Sequence, residues 1–139
     1  MNKSACKVLI VDDSPDDRFF LRMLLGRHAQ FVIVGEARDG QEAIEWLSTS
    51  ANSPDLVILD LKMPGKDGFD VLQWIRNQSL GNLTVAVMSG SWLQEDINRS
   101  ISLGAHAYFK KTSLKEEQGK MISDLEKLLY ERKGIGESA

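Results

Sequence analysis

The sequence predicts an α/β protein in which a parallel sheet carries helices on both faces. Five short apolar segments alternate along the chain with five segments of helical periodicity. The apolar segments are rich in β-branched residues, which is typical of strands buried on both faces of a sheet. Strands that alternate with helices in this way are joined by right-handed crossovers and run parallel. We expect one domain, since the 139 residues leave no segment for a second.

The predicted strands are short and end, in several cases, at polar residues. They span residues 7–11, 31–35, 56–59, 84–88 and 107–109. The first helix begins at Ser14, a good N-cap, with Pro15 in the first helical position. Asp16 and Asp17 are interpreted as acids that favour the positive helix end rather than as ligands. The face expected to be buried comprises Phe19, Phe20, Met23 and Leu24.

The remaining helices are predicted from apolar residues at helical spacing. The second follows residues 39–40, and the third begins near residue 67. The fourth is expected to begin at Ser91, which has capping-box spacing to Gln94, and to end at Gly104. Ser113 and Glu116 have the same spacing before the fifth helix. The apolar sets are Ala43, Ile44 and Leu47; Phe69, Leu72, Trp74 and Ile75; Ile97 and Ile101; and Met121, Ile122, Leu125, Leu128 and Leu129.

Composition and charge narrow the class of protein. Seventeen Lys and Arg against 20 Asp and Glu give a formal charge of −3, which offers no overall attraction for nucleic acid or anionic lipid. Cys6 is the only cysteine, so no intrachain disulfide is possible. We find no signal peptide and no apolar run near the ~20 residues of a membrane helix. A cytoplasmic location is expected.

Acidic residues follow two of the predicted strands. Asp12 and Asp13 come directly after the first strand, and Asp60 comes directly after the third. The carboxyl ends of parallel strands meet at one edge of the sheet, where α/β folds build ligand sites. Carboxylates gathered there repel one another, so they require a cation or stay partly protonated. Oxygen ligands without Cys or His suit a hard ion, most simply Mg2+.

Four sequence motifs, taken together, resemble the receiver domain of two-component response regulators. They are VLIVDD at 8–13, LDLKMPGKDG at 59–68, MSG at 88–90 and GAHAYFKK at 104–111. The resemblance covers roughly residues 6–130. It implies a flavodoxin-like (βα)5 three-layer sandwich with a five-stranded parallel sheet in the order 2-1-3-4-5.

The resemblance also implies roles for the acidic residues. Asp60 would accept a phosphoryl group on its carboxylate. Asp13 and Asp60 would ligate Mg2+ directly, with the backbone carbonyl of Lys62 as a third protein ligand. Asp12 would act through a bound water. A carboxylate nucleophile of this kind needs cations to neutralise the phosphoryl oxygens that it would otherwise repel.

Three further residues receive roles by the same resemblance. Ser89 would hydrogen-bond one phosphoryl oxygen and Lys111 would pair with another. Tyr108 would be the aromatic residue whose orientation changes on activation, as Ser89 moves toward the phosphoryl group. Strand alternation points Lys110 away from Lys111, and Lys110 is expected to be solvated. Trp92 is notable because it lies beside this expected switch.

The function implied is that of a single-domain response regulator, with a receiver at 6–132 and flexible tails at 1–5 and 133–139. It would take the phosphoryl group from a sensor histidine kinase or a histidine phosphotransfer protein. Beyond its own phosphorylation and dephosphorylation it would not be an enzyme. Output would be a protein contact, through the face of the fourth helix, fifth strand and fifth helix, or onward phosphotransfer. A monomer or weak dimer is expected.

Three positions depart from the family pattern. Thr112 replaces the usual proline after Lys111, and the Lys111–Thr112 bond is open between a cis form that costs about 2.5–4 kcal/mol and a trans form. Gly90 replaces the usual alanine. Lys62 places a cation at the mouth of the site, where we expect it to alter the lifetime of the aspartyl phosphate through water access.

Other functions fit the sequence less well than that of a receiver. A phosphatase of the haloacid dehalogenase type usually has a second Asp where this chain has Lys62, and no cap domain fits. The alternative is an interaction module that works without phosphorylation. Thr112, which departs from the family pattern, keeps this alternative open. A nucleotide-binding flavodoxin-like protein would want glycines where residues 12–17 read DDSPDD.

Overall fold

Strands and helices alternate along the whole described chain. A computed structural model describes residues 5–49 and 53–134. The elements in chain order are β1 Cys6–Val11, α1 Pro15–Gly26, β2 Phe31–Ala37, α2 Gly40–Ser48, β3 Leu56–Leu59, α3 Gly68–Asn77, β4 Thr84–Ser89, α4 Gln94–Ser102, β5 Ala107–Lys110 and α5 Lys115–Lys133. The strands form one sheet in the order β2-β1-β3-β4-β5, and all neighbours are parallel. The predicted fold and strand order are confirmed.

Side-chain alternation along the central strands builds a core on each face of the sheet. Leu9 and Val57 belong to one core, which includes the buried residues of α3. Val8 and Ile58 belong to the other, which includes the buried leucines of α1 and α5. Successive side chains of a strand point to opposite faces, so each central strand contributes to both cores. The three layers that result are helix, sheet and helix.

The buried face of α1 differs from the predicted one. Phe19 and Met23 are 55% and 49% exposed, and Leu21 and Leu25 are buried in their place. The helix carries apolar residues around more than one face, and spacing alone does not say which face meets the sheet. The guanidinium of Arg22 lies 5.5 Å from the centre of the Phe19 ring and partly covers it. The predicted N-cap is confirmed, since the Ser14 hydroxyl accepts a hydrogen bond from the backbone N–H of Asp17.

The two predicted capping boxes of α4 and α5 are wrong. The N-cap residues are Leu93 and Leu114, neither of which caps with its side chain. Instead, a hydroxyl two residues before each N-cap accepts the N-cap's own backbone N–H: Ser91 bonds Leu93, and Thr112 bonds Leu114. Each hydroxyl then donates to an acid in the first turn, Asp96 for Ser91 and Glu117 for Thr112. The same local arrangement therefore begins both helices that flank β5.

The inner face of α4 is polar, contrary to the sequence prediction. Its buried residues are Asp96 and Ser100, whereas Ile97 is half-buried and Ile101 is 47% exposed. Arg99 lies beside the Phe69 ring, 4.1 Å from its centre, and helps to join α4 to α3. The fully buried residues of this helix are therefore polar.

The described residues include only part of the predicted tails. Residues 1–4 and 135–139 of those tails lie outside the described residues. Lys133 is the last residue of α5 rather than part of a tail, and Gly134 follows as a C-cap with a left-handed φ of 68°. None of the described helices combines the length and apolar character needed to cross a membrane.

Candidate functional site

The acidic residues meet at the carboxyl edge of the sheet, as the sequence predicts. β1 and β3 are neighbours in register, with Val11 opposite Leu59, so Asp12 and Asp60 leave the sheet at the same level. The backbone N–H of Asp60 donates to the carbonyl of Val11 at 2.9 Å, which fixes this alignment. One carboxylate oxygen from each of Asp12, Asp13 and Asp60 lies within 4.8 Å of the others. The fold itself therefore gathers three negative charges at one point.

The three carboxylates differ in their surroundings. Asp12 and Asp60 are buried, and Asp13 is exposed. Both oxygens of Asp12 have protein partners, because Oδ1 accepts the backbone N–H of Ser14 and Oδ2 lies 2.9 Å from Lys111 Nζ. Asp13 and Asp60 line a cavity of about 600 Å³. The two carboxylates of this cavity are thus those open to a ligand.

Burial leaves the charge of Asp60 incompletely balanced. The pKa of Asp60 is raised from 3.8 to about 6, mainly by desolvation and in smaller part by the Asp12 carboxylate. The Lys111 ammonium and the backbone N–H of Lys62 oppose this rise. A buried carboxylate with a raised pKa beside two other carboxylates is the electrostatic setting that a divalent cation would relieve.

The donor set fits a hard cation. Asp12, Asp13 and Asp60 supply oxygen atoms, which is the chemistry that Mg2+ prefers. Lys62, two residues after Asp60, lines the same cavity. The predicted ligand set takes its third protein oxygen from the backbone carbonyl of Lys62. The predicted ligand set is compatible with this arrangement, and its assignment stays a prediction.

Lys111 lies among three carboxylates at this edge of the sheet. Its Nζ lies 2.9 Å from Asp12 Oδ2 and 3.4 Å from Asp60 Oδ2. It also lies 2.8 Å from Asp17 Oδ2, a contact that the sequence analysis missed by treating Asp17 as a helix-start acid. Burial lowers the pKa of Lys111, but the contacts with Asp17, Asp12 and Asp60 outweigh it and raise the pKa well above its usual range. Lys111 is therefore a cation at any physiological pH.

The loop after Lys111 is compatible with this position. The Lys111–Thr112 bond is trans, as are all described peptide bonds. The backbone N–H of Lys111 donates to the carbonyl of Ser89 at 2.9 Å, which extends the pairing of β4 and β5 by one step. The absence of proline at position 112 does not displace Lys111 from the carboxylates.

A chain of hydrogen bonds joins Ser89 to Tyr108 through Ser91. Ser89 is fully buried at the end of β4, and its Oγ accepts the backbone N–H of Ser91 at 3.2 Å. The Tyr108 hydroxyl donates to the carbonyl of Ser91 at 3.1 Å. The resemblance to the family links Ser89 with Tyr108, whereas the sequence predicts only a helix cap at Ser91. Ser91 is the residue that links the two.

Lys62 and Asp96 close the rim of the cavity. Lys62 Nζ lies 3.4 Å from Asp96 Oδ2, and the Ser91 hydroxyl donates to the same oxygen at 2.6 Å. The hydrogen bond from Ser91, aided by Lys62, holds the pKa of Asp96 below its usual range. The Lys62 side chain is 61% exposed. Its charge is paired with α4 rather than directed at Asp60.

Trp92 stands out beside this network. It is 74% exposed, and Lys110 Nζ lies 3.9 Å from the centre of its ring. Lys110 is exposed, as expected of a solvated residue, but it also stacks on the indole. An exposed tryptophan one residue after Ser91 is placed to report on the conformation of this loop.

Comparison with known proteins identifies the class to which this fold and site belong. Residues 8–123 match the family described as "Response regulator receiver domain". The chain belongs to this family, and the resemblance drawn from its motifs is confirmed.

Several relatives share its sequence or structure. The nitrate/nitrite response regulator protein NarL of Escherichia coli K12 is 36% identical over 110 residues, which cover 79% of this chain and 50% of NarL. The phosphorylated cyanobacterial phytochrome response regulator RcpA is 28% identical with a TM-score of 0.76, covering 89% of this chain and 93% of that one. The CheX–CheY–BeF3–Mg2+ complex of Borrelia burgdorferi contains a chain 25% identical, with a TM-score of 0.81, covering 91% and 90%. The chain thus spans about half the length of NarL.

Proposed function

We propose that this receiver accepts a phosphoryl group on Asp60 from a phosphohistidine of a sensor kinase or a histidine phosphotransfer protein. The observation that carries the proposal is the convergence of Asp13, Asp60 and Lys111 on one cavity at the carboxyl edge of the sheet. RcpA, a relative of similar fold, has been crystallised in phosphorylated form. The roles of individual residues below belong to the same proposal.

The transfer makes one bond and breaks one. An Asp60 carboxylate oxygen attacks phosphorus, and the new O–P bond forms as the P–N bond to the donor imidazole breaks, with its electron pair leaving on nitrogen. The transition state is loose and carries charge on the equatorial oxygens, so the protein contributes position and opposite charge. Lys111, 3.4 Å from Asp60 Oδ2, is within reach of one phosphoryl oxygen. The buried Ser89 hydroxyl is the second donor.

The acidic cluster would hold Mg2+ during this reaction. Asp13 and Asp60 would bind it directly with the Lys62 carbonyl, and Asp12, whose oxygens already accept protein hydrogen bonds, would act through water. The Borrelia CheY structure was determined with Mg2+ and BeF3, which supports the choice of ion. When bound, the ion would neutralise charge that otherwise repels the anionic donor.

The conformational response would begin at Ser89. In the resting protein the Ser89 hydroxyl accepts the backbone N–H of Ser91. As it donates to a phosphoryl oxygen, the hydroxyl would move toward the acceptor and lengthen this bond. That change would free the Ser91 segment and its contact with Tyr108, so that a local charge event biases a two-state element. We expect beryllium fluoride with Mg2+ to change the fluorescence of Trp92 in the wild type and much less in Ser89→Ala. Ser113→Ala, an exposed serine outside this chain of hydrogen bonds, is the matched control, and an unchanged response in Ser89→Ala would reject the coupling.

The output surface would be the face of α4, β5 and α5. A groove of about 1340 Å³ follows this face and is lined by Trp92, Ile97, Tyr108 and Lys110 among others. As a single-domain regulator, the protein would signal through this face by contact with another protein, or would pass the phosphoryl group onward. It would act as a monomer or weak dimer. The mass of the native polypeptide in cells tests the single-domain reading, and fractionation tests the expected cytoplasmic location.

The site of phosphorylation is the direct test of the proposal. The protein is incubated with Mg2+ and a phosphorylated histidine kinase domain or acetyl phosphate, then reduced with borohydride, which converts an aspartyl phosphate to homoserine. Peptide mapping should place the conversion at Asp60. Conversion at another aspartate, or a phosphoryl group on serine or histidine, would contradict the assignment.

A further inference from the structure

Three carboxylates compete for the single ammonium of Lys111. Its Nζ lies 2.8 Å from Asp17, 2.9 Å from Asp12 and 3.4 Å from Asp60. A lysine ammonium has three protons and no further donor. Any phosphoryl oxygen that Lys111 bonds must therefore displace or share one of these contacts. The shortest of them holds Lys111 to Asp17, in the first turn of α1.

Asp17 is unlike the other two carboxylates of this cluster. Asp12 is 2% exposed and also accepts the backbone N–H of Ser14, whereas the Asp17 side chain is 40% exposed. Released from Lys111, the Asp17 carboxylate would regain water, while a released Asp12 would be left buried without its partner. Of these two contacts, the one with Asp17 is released at the lower cost.

We infer that Asp17 is a positioning residue that restrains Lys111 and slows phosphoryl transfer to Asp60. The inference rests on the proposed function of Asp60 as phosphoacceptor. In the resting protein, Asp17 holds the ammonium between α1 and the acceptor. As the phosphoryl group arrives, Lys111 exchanges the Asp17 oxygen for a phosphoryl oxygen, and this exchange adds to the barrier.

The neighbouring acid provides a matched control. Asp16 and Asp17 both lie in the first turn of α1, where either carboxylate favours the positive helix end. Asp16 is exposed and Asp17 is the one bonded to Lys111. Asp16→Asn therefore removes the same charge from the same turn and leaves the restraint in place.

The test compares phosphorylation rates at equal donor concentrations with Mg2+ present, followed by intact mass. Two donors are used, acetyl phosphate as a dianion and phosphoramidate as a less charged donor. We expect Asp17→Asn to phosphorylate about two- to five-fold faster than wild type with both donors, as loss of one partly exposed ion pair would give. Asp17→Ser, which suits a first helical turn, should repeat the result, and Asp16→Asn should match the wild type.

The other outcomes distinguish failure of the proposed function from failure of the restraint by Asp17. If wild type gains no phosphoryl group, the proposed function fails first. If wild type is phosphorylated and the Asp17 variants are equal or slower, the restraint is refuted while the function of Asp60 stands. An increase with the dianionic donor alone, or an equal increase in Asp16→Asn, would show general charge repulsion and would overturn the inference.

Discussion

Replacing Asp60 with Asn should stabilise the folded protein while it removes the acceptor. Asp60 is 5% exposed, and burial raises its pKa from 3.8 to about 6 despite the nearby Lys111. A carboxyl group whose pKa is higher in the folded than in the unfolded state opposes folding once it is charged. A rise from 3.8 to about 6 corresponds to about 3 kcal/mol. Asn keeps the shape without the charge, so we expect a gain of about 1–3 kcal/mol in the free energy of unfolding at pH 7.5.

The pH dependence of this gain follows from the same two pKa values. Below pH 3.8 Asp60 is protonated in both states and costs nothing. Between 3.8 and about 6 the folded state holds a proton that the unfolded state has lost, so the stability of the wild type falls as pH rises. Above about 6 the loss is complete. The difference between Asp60→Asn and wild type should therefore be largest at pH 7.5 and about half as large at pH 5.

Urea unfolding followed by circular dichroism measures this difference, in buffer with a chelator so that no divalent ion is bound. Adding Mg2+ should stabilise the wild type more than the variant and narrow the gap. Asp16→Asn, an exposed acid at a helix start, should show no gain. An Asp60→Asn protein that is no more stable than the wild type at pH 7.5 without divalent ions would refute the claim that the buried Asp60 charge destabilises the fold.

Three further substitutions test the surroundings of the site. Gly68→Ala should lower the free energy of unfolding by about 1–3 kcal/mol and slow phosphorylation, because the new Cβ would lie 2.4 Å from the backbone oxygen of Asp60. Gly90→Ala, where a Cβ meets nothing within 4 Å, is its control in urea unfolding, and an equal loss would contradict the packing argument. Lys62→Ala should shorten the half-life of the aspartyl phosphate by opening the cavity to water, and equal dephosphorylation rates would reject that role. Thr112→Ala should cost about 1 kcal/mol in thermal unfolding through loss of its bonds at the start of α5, whereas Thr112→Ser should not.

The fold was predictable because its signals are strong and agree with one another. The β3 segment is apolar along its whole length and ends at Asp60, and the structure places the strand at Leu56–Leu59 as expected. The predictions that were wrong concern features that depend on tertiary contacts. α1 has apolar residues on several faces, and only docking against the sheet selects Leu21 and Leu25 over Phe19. The predicted start of α4 was wrong because Ser91 lies two residues ahead of the N-cap, where its hydroxyl accepts the backbone N–H of Leu93.

The site was predictable where residues follow the ends of strands, because topology brings those ends together. Asp12, Asp60 and Lys111 meet for this reason. Asp17 was missed because it lies in α1 rather than at the end of a strand, and an acid in a first helical turn already has a sufficient local explanation. Asp96 was missed for the same reason, since its bond to Ser91 and its pairing with Lys62 depend on how α4 packs.

The central claim is that Asp60 carries the phosphoryl group, and intact mass measures it most directly. Wild type and Asp60→Asn are incubated with acetyl phosphate, each with Mg2+ and with a chelator. The account predicts a gain of one phosphoryl group in the wild type with Mg2+, and none in the variant or without the ion. A folded wild type that gains no mass, or an Asp60→Asn protein that gains the same mass, would contradict it.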